Sequence, residues 1–115
     1  MNVIVLEDSS ERIKAFREAY RGSEIIFTKT PKQTISALKR LPCDLLYLDH
    51  DLGDKAGTGL DVVNFLCNDK SVFRGTYIII HSWNVVASRV MADALIKADY
   101  SVVLWRFNPK NILFW

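Results

Sequence analysis

The sequence is poor in everything that would staple, anchor or divide it. It has two cysteines, Cys43 and Cys67. They form no CxxC pair, which argues against a thiolate metal site and for the plain reduced thiols of an intracellular protein. No run approaches the ~20 apolar residues that a membrane helix needs. The opening Met1-Asn2-Val3-Ile4-Val5-Leu6-Glu7-Asp8 has too short an apolar part for a signal peptide and no cleavage-type flank. Charge of neither sign dominates: 15 basic and 13 acidic residues leave +2, too mild a balance for a nucleic-acid footprint. No repeat, linker or low-complexity segment interrupts the chain, and 115 residues suffice for one domain and not for two. Half the residues are hydrophobic, which argues against disorder. The expectation is one soluble, cytoplasmic domain over residues 1–115 with no membrane contact.

What is present is an alternation of two periods. Five short apolar runs, Val3-Leu6, Ile25-Phe27, Leu45-Leu48, Tyr77-Ile80 and Val102-Trp105, are continuous, as strands buried on both faces are. Four helical stretches lie between them. The first opens at Ser9-Ser10, places Ile13, Phe16 and Tyr20 on one face and stops at Gly22. The second has Thr30 as cap, Pro31 at the first helical position and Gln33 completing a capping box. Its apolar face is Ile35, Leu38 and Leu41. The third begins near Thr58-Gly59 with Leu60, Val63 and Leu66, and the fourth follows Asn84 with Ala87, Met91, Ala94, Leu95 and Ala98. The order β-α-β-α-β-α-β-α-β predicts an α/β three-layer fold with a five-stranded parallel sheet, strand order 2-1-3-4-5. No fifth helix follows strand 5. The apolar end Ile112-Leu113-Phe114-Trp115 is expected to fold back over the face left bare, or to bury itself in a symmetric homodimer.

Ligands of open parallel sheets bind outside the carboxyl ends of the strands. Strand 1 is followed there by Glu7 and Asp8, strand 3 by Asp49, His50 and Asp51, strand 4 by His81, Ser82 and Asn84, and strand 5 by Arg106. Both histidines of the chain and four carboxylates thus fall on one rim. Crowded carboxylates repel, and a divalent cation relieves that repulsion. Carboxylates suit Mg²⁺, while an added imidazole widens the choice to Mn²⁺ or, less readily, Zn²⁺. Neutralising Asp49 or Asp51 is then expected to stabilise the metal-free chain. The blander alternatives are that Glu7 and Asp8 only complement a helix dipole, and that His50 is an exposed bystander. His81, directly after a strand, either points into the pocket or packs beneath it.

These residues resemble the receiver domain of bacterial response regulators. Glu7-Asp8 looks like that family's Mg²⁺-binding acidic pair, and Asp49 sits where its phospho-accepting aspartate would be. Gly59-Leu60-Asp61-Val62-Val63 looks like the Gly-led start of its third helix. The departures are His81-Ser82 in place of a Thr or Ser, Arg106 in place of a Lys, the added Asp51 and the missing helix. They match a closer relative, the cyclic-phosphate-processing receiver domains. Leu48-Asp49-His50-Asp51-Leu52-Gly53 and Ile80-His81-Ser82-Trp83-Asn84 are similar to that family's marker motifs. The resemblance implies a metal-dependent phosphoesterase acting on a cyclic phosphate or a phosphodiester end, such as a phosphate-containing small molecule or an RNA end. Asp8, Asp49 and Asp51 would hold the metal, with Glu7 adjusting the charge. His81 would be general acid or base. Ser82, Asn84 and His50 would bind substrate, and Arg106 would grip the phosphate. The alternatives are a signalling module phosphorylated on Asp49, or a non-catalytic module of the kind found in bacteria and phages that binds a host protein.

Overall fold

Strands β1 (Asn2–Leu6) and β3 (Leu45–Leu48) are buried almost end to end, as the continuous apolar runs require. The computed structural model describes residues 1–51, 58–68, 75–110 and 112. With β2 (Glu24–Thr28), β4 (Tyr77–Ile80) and β5 (Ser101–Leu104) the strands form one parallel sheet, order β2-β1-β3-β4-β5. Continuity over-reads the two edges. β2 alternates exposed and half-buried residues, and both ends of β5 are exposed, because an edge strand has a neighbour on one side only.

The even-numbered side of the sheet, with Ile4, Leu6, Leu46, Leu48, Ile78 and Ile80, is covered by α2 (Pro31–Arg40), α3 (Gly59–Asn68) and α4 (Val85–Lys97). The odd-numbered side, with Val3, Val5, Leu45, Tyr47 and Ile79, receives Phe16 of α1 (Ser10–Ala19) and Tyr20 just beyond it. In place of a fifth helix, Trp105, Phe107 and the buried Ile112 pack on this second side. The tail therefore folds back as far as Ile112; Leu113, Phe114 and Trp115 lie outside the described residues.

The helix starts follow from their caps. Ser9, Thr30 and Asn84 each accept a hydrogen bond from the backbone N–H three residues on. The capping box of α2 is shifted by one residue, since Gln33 accepts from Lys29 N at 2.8 Å. Leu41 is the exposed C-cap of α2 and not part of its apolar face. Gly22 has φ +85°, so its left-handed turn favours glycine. Gly59 is needed for space: a Cβ there would run into the backbone oxygen of Asp49 and lie 2.9 Å from Met91 Cε. Gly59→Ala is expected to destabilise the protein by about 1–3 kcal/mol through overpacking. Urea denaturation checks this, and an unchanged midpoint would mean that α3 shifts freely away from the β3 rim. Among the described residues no helix is long and apolar enough to cross a membrane.

Candidate functional site

The register of the sheet assembles the site. Leu6 pairs with Leu48, Leu48 with Ile80, and Ile80 with Leu104. The next residues, Glu7, Asp49, His81 and Trp105, leave the rim in one row. Side chains alternate along a strand, so this odd-numbered row faces α1. Glu7 and His81 have no exposed surface, and Asp49 has 3%. One ligand atom from each lies within 4.8 Å of the other two.

Glu7 is the most heavily held group. Its Oε2 accepts from the N–H groups of Asp8 and Ser9 at 3.0 and 3.1 Å. Its Oε1 accepts from Arg12 Nη1 at 3.3 Å and lies 3.2 Å from His81 Nε2. Burial pushes the Glu7 carboxyl up, but the hydrogen bond from His81, the Ser9 N–H and the charge of Arg12 hold it the other way, and the net direction is down. Burial pushes the His81 imidazolium down further than Glu7 pulls it up. The pair is therefore an ionised Glu7 and a neutral His81 whose Nε2–H donates to it. That tautomer leaves Nδ1 as a bare acceptor, buried and without a partner among the described residues. The ring stands edge-on to Phe16 and Tyr47. Of the two placements open to His81, the structure has the one beneath the pocket.

Asp49 behaves differently. Its Oδ1 accepts from Asp51 N at 3.2 Å, and its Oδ2 lies 3.7 Å from Arg12 Nη1. Burial first and the charge of Glu7 second push its carboxyl up to about 7. Above these groups is a cavity of about 200 Å³ lined by Glu7, Asp8, Arg12, Asp49, Asp51 and Trp83, among others. Asp8 and Asp51 are exposed, and Asp51 Oδ1 is 2.7 Å from His50 Nδ1. Hard carboxylate oxygens around a small open cavity, one carboxyl reluctant to ionise beside its neighbours, make a donor set that fits Mg²⁺ or Mn²⁺.

The residues expected from the sequence divide into two groups. Glu7, Asp8, Asp49 and Asp51 meet at this cavity. Ser82 and Arg106 line a neighbouring one. Arg106 stacks on Trp83, its Cζ 4.7 Å from the ring centroid. Asn84 is exposed and its Oδ1 caps Ala87 N at 3.0 Å. Leu52 and Gly53 of the first marker motif lie outside the described residues.

Arg12 was not legible as a site residue. It joins Glu7 to Asp49, and its guanidinium also sits 5.4 Å from the Phe107 ring centroid. A signal existed. Ser9 caps α1 only three residues past Leu6, so the first turn must overhang the rim, and Arg12 is the cation on that turn.

The family model described as cyclic-phosphate processing receiver domain matches residues 3–97. No curated protein matches the chain. Among solved structures, a CheY-like response regulator receiver domain protein from Methanospirillum hungatei superimposes with a TM-score of 0.69 at 14% identity, covering 95% of this chain and 84% of that one. The isolated receiver domain of RcsB from Salmonella enterica, in the presence of phosphomimetic BeF3⁻, gives 0.63 at 24% identity, with 96% and 80% covered. The signal receiver domain of a protein named as a Luxo repressor from Vibrio parahaemolyticus gives 0.68 at 22%, with 95% and 81% covered. At such identities the likeness to these structures is one of fold.

Proposed function

The chain belongs to the cyclic-phosphate processing receiver domain family, and from that premise we propose that its acidic cavity hydrolyses a cyclic phosphate or a phosphodiester end with the help of a divalent metal. The observation that carries the reading is the close approach of buried Glu7, Asp49 and His81 under the carboxylates of Asp8 and Asp51. Asp8, Asp49 and Asp51 would hold the metal, Mg²⁺ or Mn²⁺. When bound, such an ion neutralises phosphoryl charge and acidifies water. Arg12 offers a guanidinium to the phosphoryl oxygens from the same wall. Glu7 keeps its charge, and His81, reached only through Glu7, fixes the orientation of that carboxylate by donating Nε2–H to it. Asp49 must lose its proton to serve as a ligand.

The test is incubation with nucleoside 2′,3′-cyclic phosphates and Mg²⁺ or Mn²⁺, followed by phosphorus NMR. A phosphomonoester product formed by the wild type and not by Asp49→Asn is expected. Absence of turnover with every divalent ion tried would sink the reading. A second reading, phosphorylation on Asp49 as in a signalling receiver, is favoured by the placement of that carboxylate at the end of β3. Acetyl phosphate with Mg²⁺ followed by intact mass separates the two, since a lasting phosphate adduct on Asp49 belongs to signalling and none is expected here.

The raised Asp49 pKa gives the metal step a pH dependence. Metal binds the ionised carboxylate, so protons compete below about pH 7. Mn²⁺ is expected to bind roughly tenfold tighter at pH 8 than at pH 6, the ratio of the ionised fractions about a midpoint of 7. Calorimetric titration at the two pH values checks this. Equal affinities would remove Asp49 from the ligand set.

A further inference from the structure

Next to the acidic cavity, between the first turns of α4 and the ends of β4 and β5, lies a second cavity of about 160 Å³. Its character is opposite. Arg89 and Arg106 stand at it, with the hydroxyls of Ser82 and Ser88, between the apolar walls of Ile80 and Leu104. Ser82 is 8% exposed and its Oγ accepts from Asn84 N at 3.1 Å, which leaves the hydroxyl proton to donate elsewhere. Ser88 is 6% exposed, and its Oγ is buried with no partner among the described residues. A serine inside a helix ordinarily returns its hydroxyl to the carbonyl four residues back. This one does not, although the Asn84 carbonyl already receives Ser88 N at 2.9 Å. A buried hydroxyl without a partner is costly, but this oxygen has almost no surface on the cavity, so the donors open to a ligand are those of Arg89, Arg106 and Ser82. The helix also begins here, so its positive end lies at the same rim.

Among the described residues the polar side chains that line this cavity are thus donors or cations, and none is a carboxylate. We infer that it binds a phosphoryl group, held by Arg89 and Arg106 as two planar forks and by the Ser82 hydroxyl. Ser82 lines this cavity, and the next residue, Trp83, lines the acidic one and carries Arg106 on its ring. One ligand can therefore reach both. Resting on the proposed reading of the acidic cavity, the substrate is a phosphoester that carries a second phosphoryl group, as a 5′-phosphorylated nucleotide or an oligonucleotide end does and a simple cyclic mononucleotide does not.

Two measurements test this separately from catalysis. First, orthophosphate is titrated into the metal-free protein and tryptophan fluorescence is read, since Trp105 lines this cavity and Trp83 adjoins it. A saturable change is expected, weakened roughly fivefold or more in Arg89→Gln/Arg106→Gln. The charge-matched control Lys14→Gln/Lys97→Gln, on exposed positions elsewhere, keeps the wild-type response. Identical behaviour of the two double variants overturns the pocket. Second, adenosine 2′,3′-cyclic phosphate with and without a 5′-phosphate is titrated calorimetrically in the presence of Mn²⁺. The 5′-phosphate is expected to tighten binding about tenfold in the wild type and not in the arginine variant. Equal affinities in the wild type overturn the substrate assignment. If neither nucleotide binds while orthophosphate still separates the two double variants, the phosphoryl pocket stands and the phosphoesterase reading falls.

Discussion

Asp49→Asn is expected to make the metal-free protein more stable by about 2–4 kcal/mol at pH 8, and to weaken Mn²⁺ binding by at least about tenfold. The folded chain holds this carboxyl at about 7, against an ordinary 3.8, because it is buried beside the charge of Glu7. Below the ordinary value both folded and unfolded chains carry the proton, and nothing is lost. Between 3.8 and about 7 the unfolded chain releases it first, so stability falls as pH rises. Above about 7 the folded carboxyl is ionised too, and the penalty has reached its full size. The asparagine variant escapes it while its side-chain oxygen still accepts from Asp51 N. The stability gap should therefore be small near pH 4, grow with pH and level off above about 7. Urea denaturation across that range measures it. Asp51→Asn is expected to do little, within about 0.5 kcal/mol, since Asp51 is exposed and rests against His50. An Asp49→Asn variant less stable than wild type at pH 8 would make Asp49 a structural anion held by Arg12.

That contrast between Asp49 and Asp51 marks where the sequence stops being informative. The apolar runs located every strand, and β3 and β4 to the residue, because central strands are buried on both faces and admit no polar interruption. The capping residues located the helix starts for an equally local reason. The strand ends then named Glu7, Asp8, Asp49 and Asp51 as neighbours, which needs only the strand order and the rule that ligands sit at the carboxyl rim. Depth is another matter. Whether a rim side chain ends in water or under a helix depends on how far the next helix leans over it. Phe16 of α1 closes over His81, whereas His50, one step past Asp49, is half-buried and Asp51 stays at the surface. Arg12 was missed for a similar reason. The cation nearest in sequence to the end of β5 turns away onto Trp83, and the one that reaches the carboxylates comes from a helix whose apolar face had drawn the attention. The exposed edges of β2 and Leu41 were misread because hydrophobicity alone does not say which strand or turn has a neighbour.

The largest loss is expected from His81→Ala, about 3–5 kcal/mol. Truncation opens a hole against the rings of Phe16 and Tyr47, and it removes the Nε2–H that Glu7, with no exposed surface of its own, accepts. A charge left short of donors in such a place is expensive. His81→Gln keeps a donor on a side chain of comparable reach, and is expected to recover most of the stability. The comparison also isolates the titration of the ring. The folded chain holds the imidazole neutral below its ordinary pKa of 6.5, so as pH falls through 6.5 the unfolded chain takes up the proton first and stability drops. Subtracting the His81→Gln curve from the wild type cancels the opposing slope of Asp49 and leaves that decline alone. Its absence would mean an imidazolium is already stored in the folded protein. Hydrolysis then separates a strut from a participant. If His81 only supports Glu7, glutamine restores activity together with stability. If it also receives a proton through Glu7, glutamine restores the fold and leaves the reaction slow, because an amide offers the carboxylate a hydrogen bond but has no basic nitrogen to take the proton. The first outcome is the one expected, since the Nε2 that faces Glu7 already carries its proton, and the ring's free lone pair is on Nδ1, buried and out of Glu7's reach.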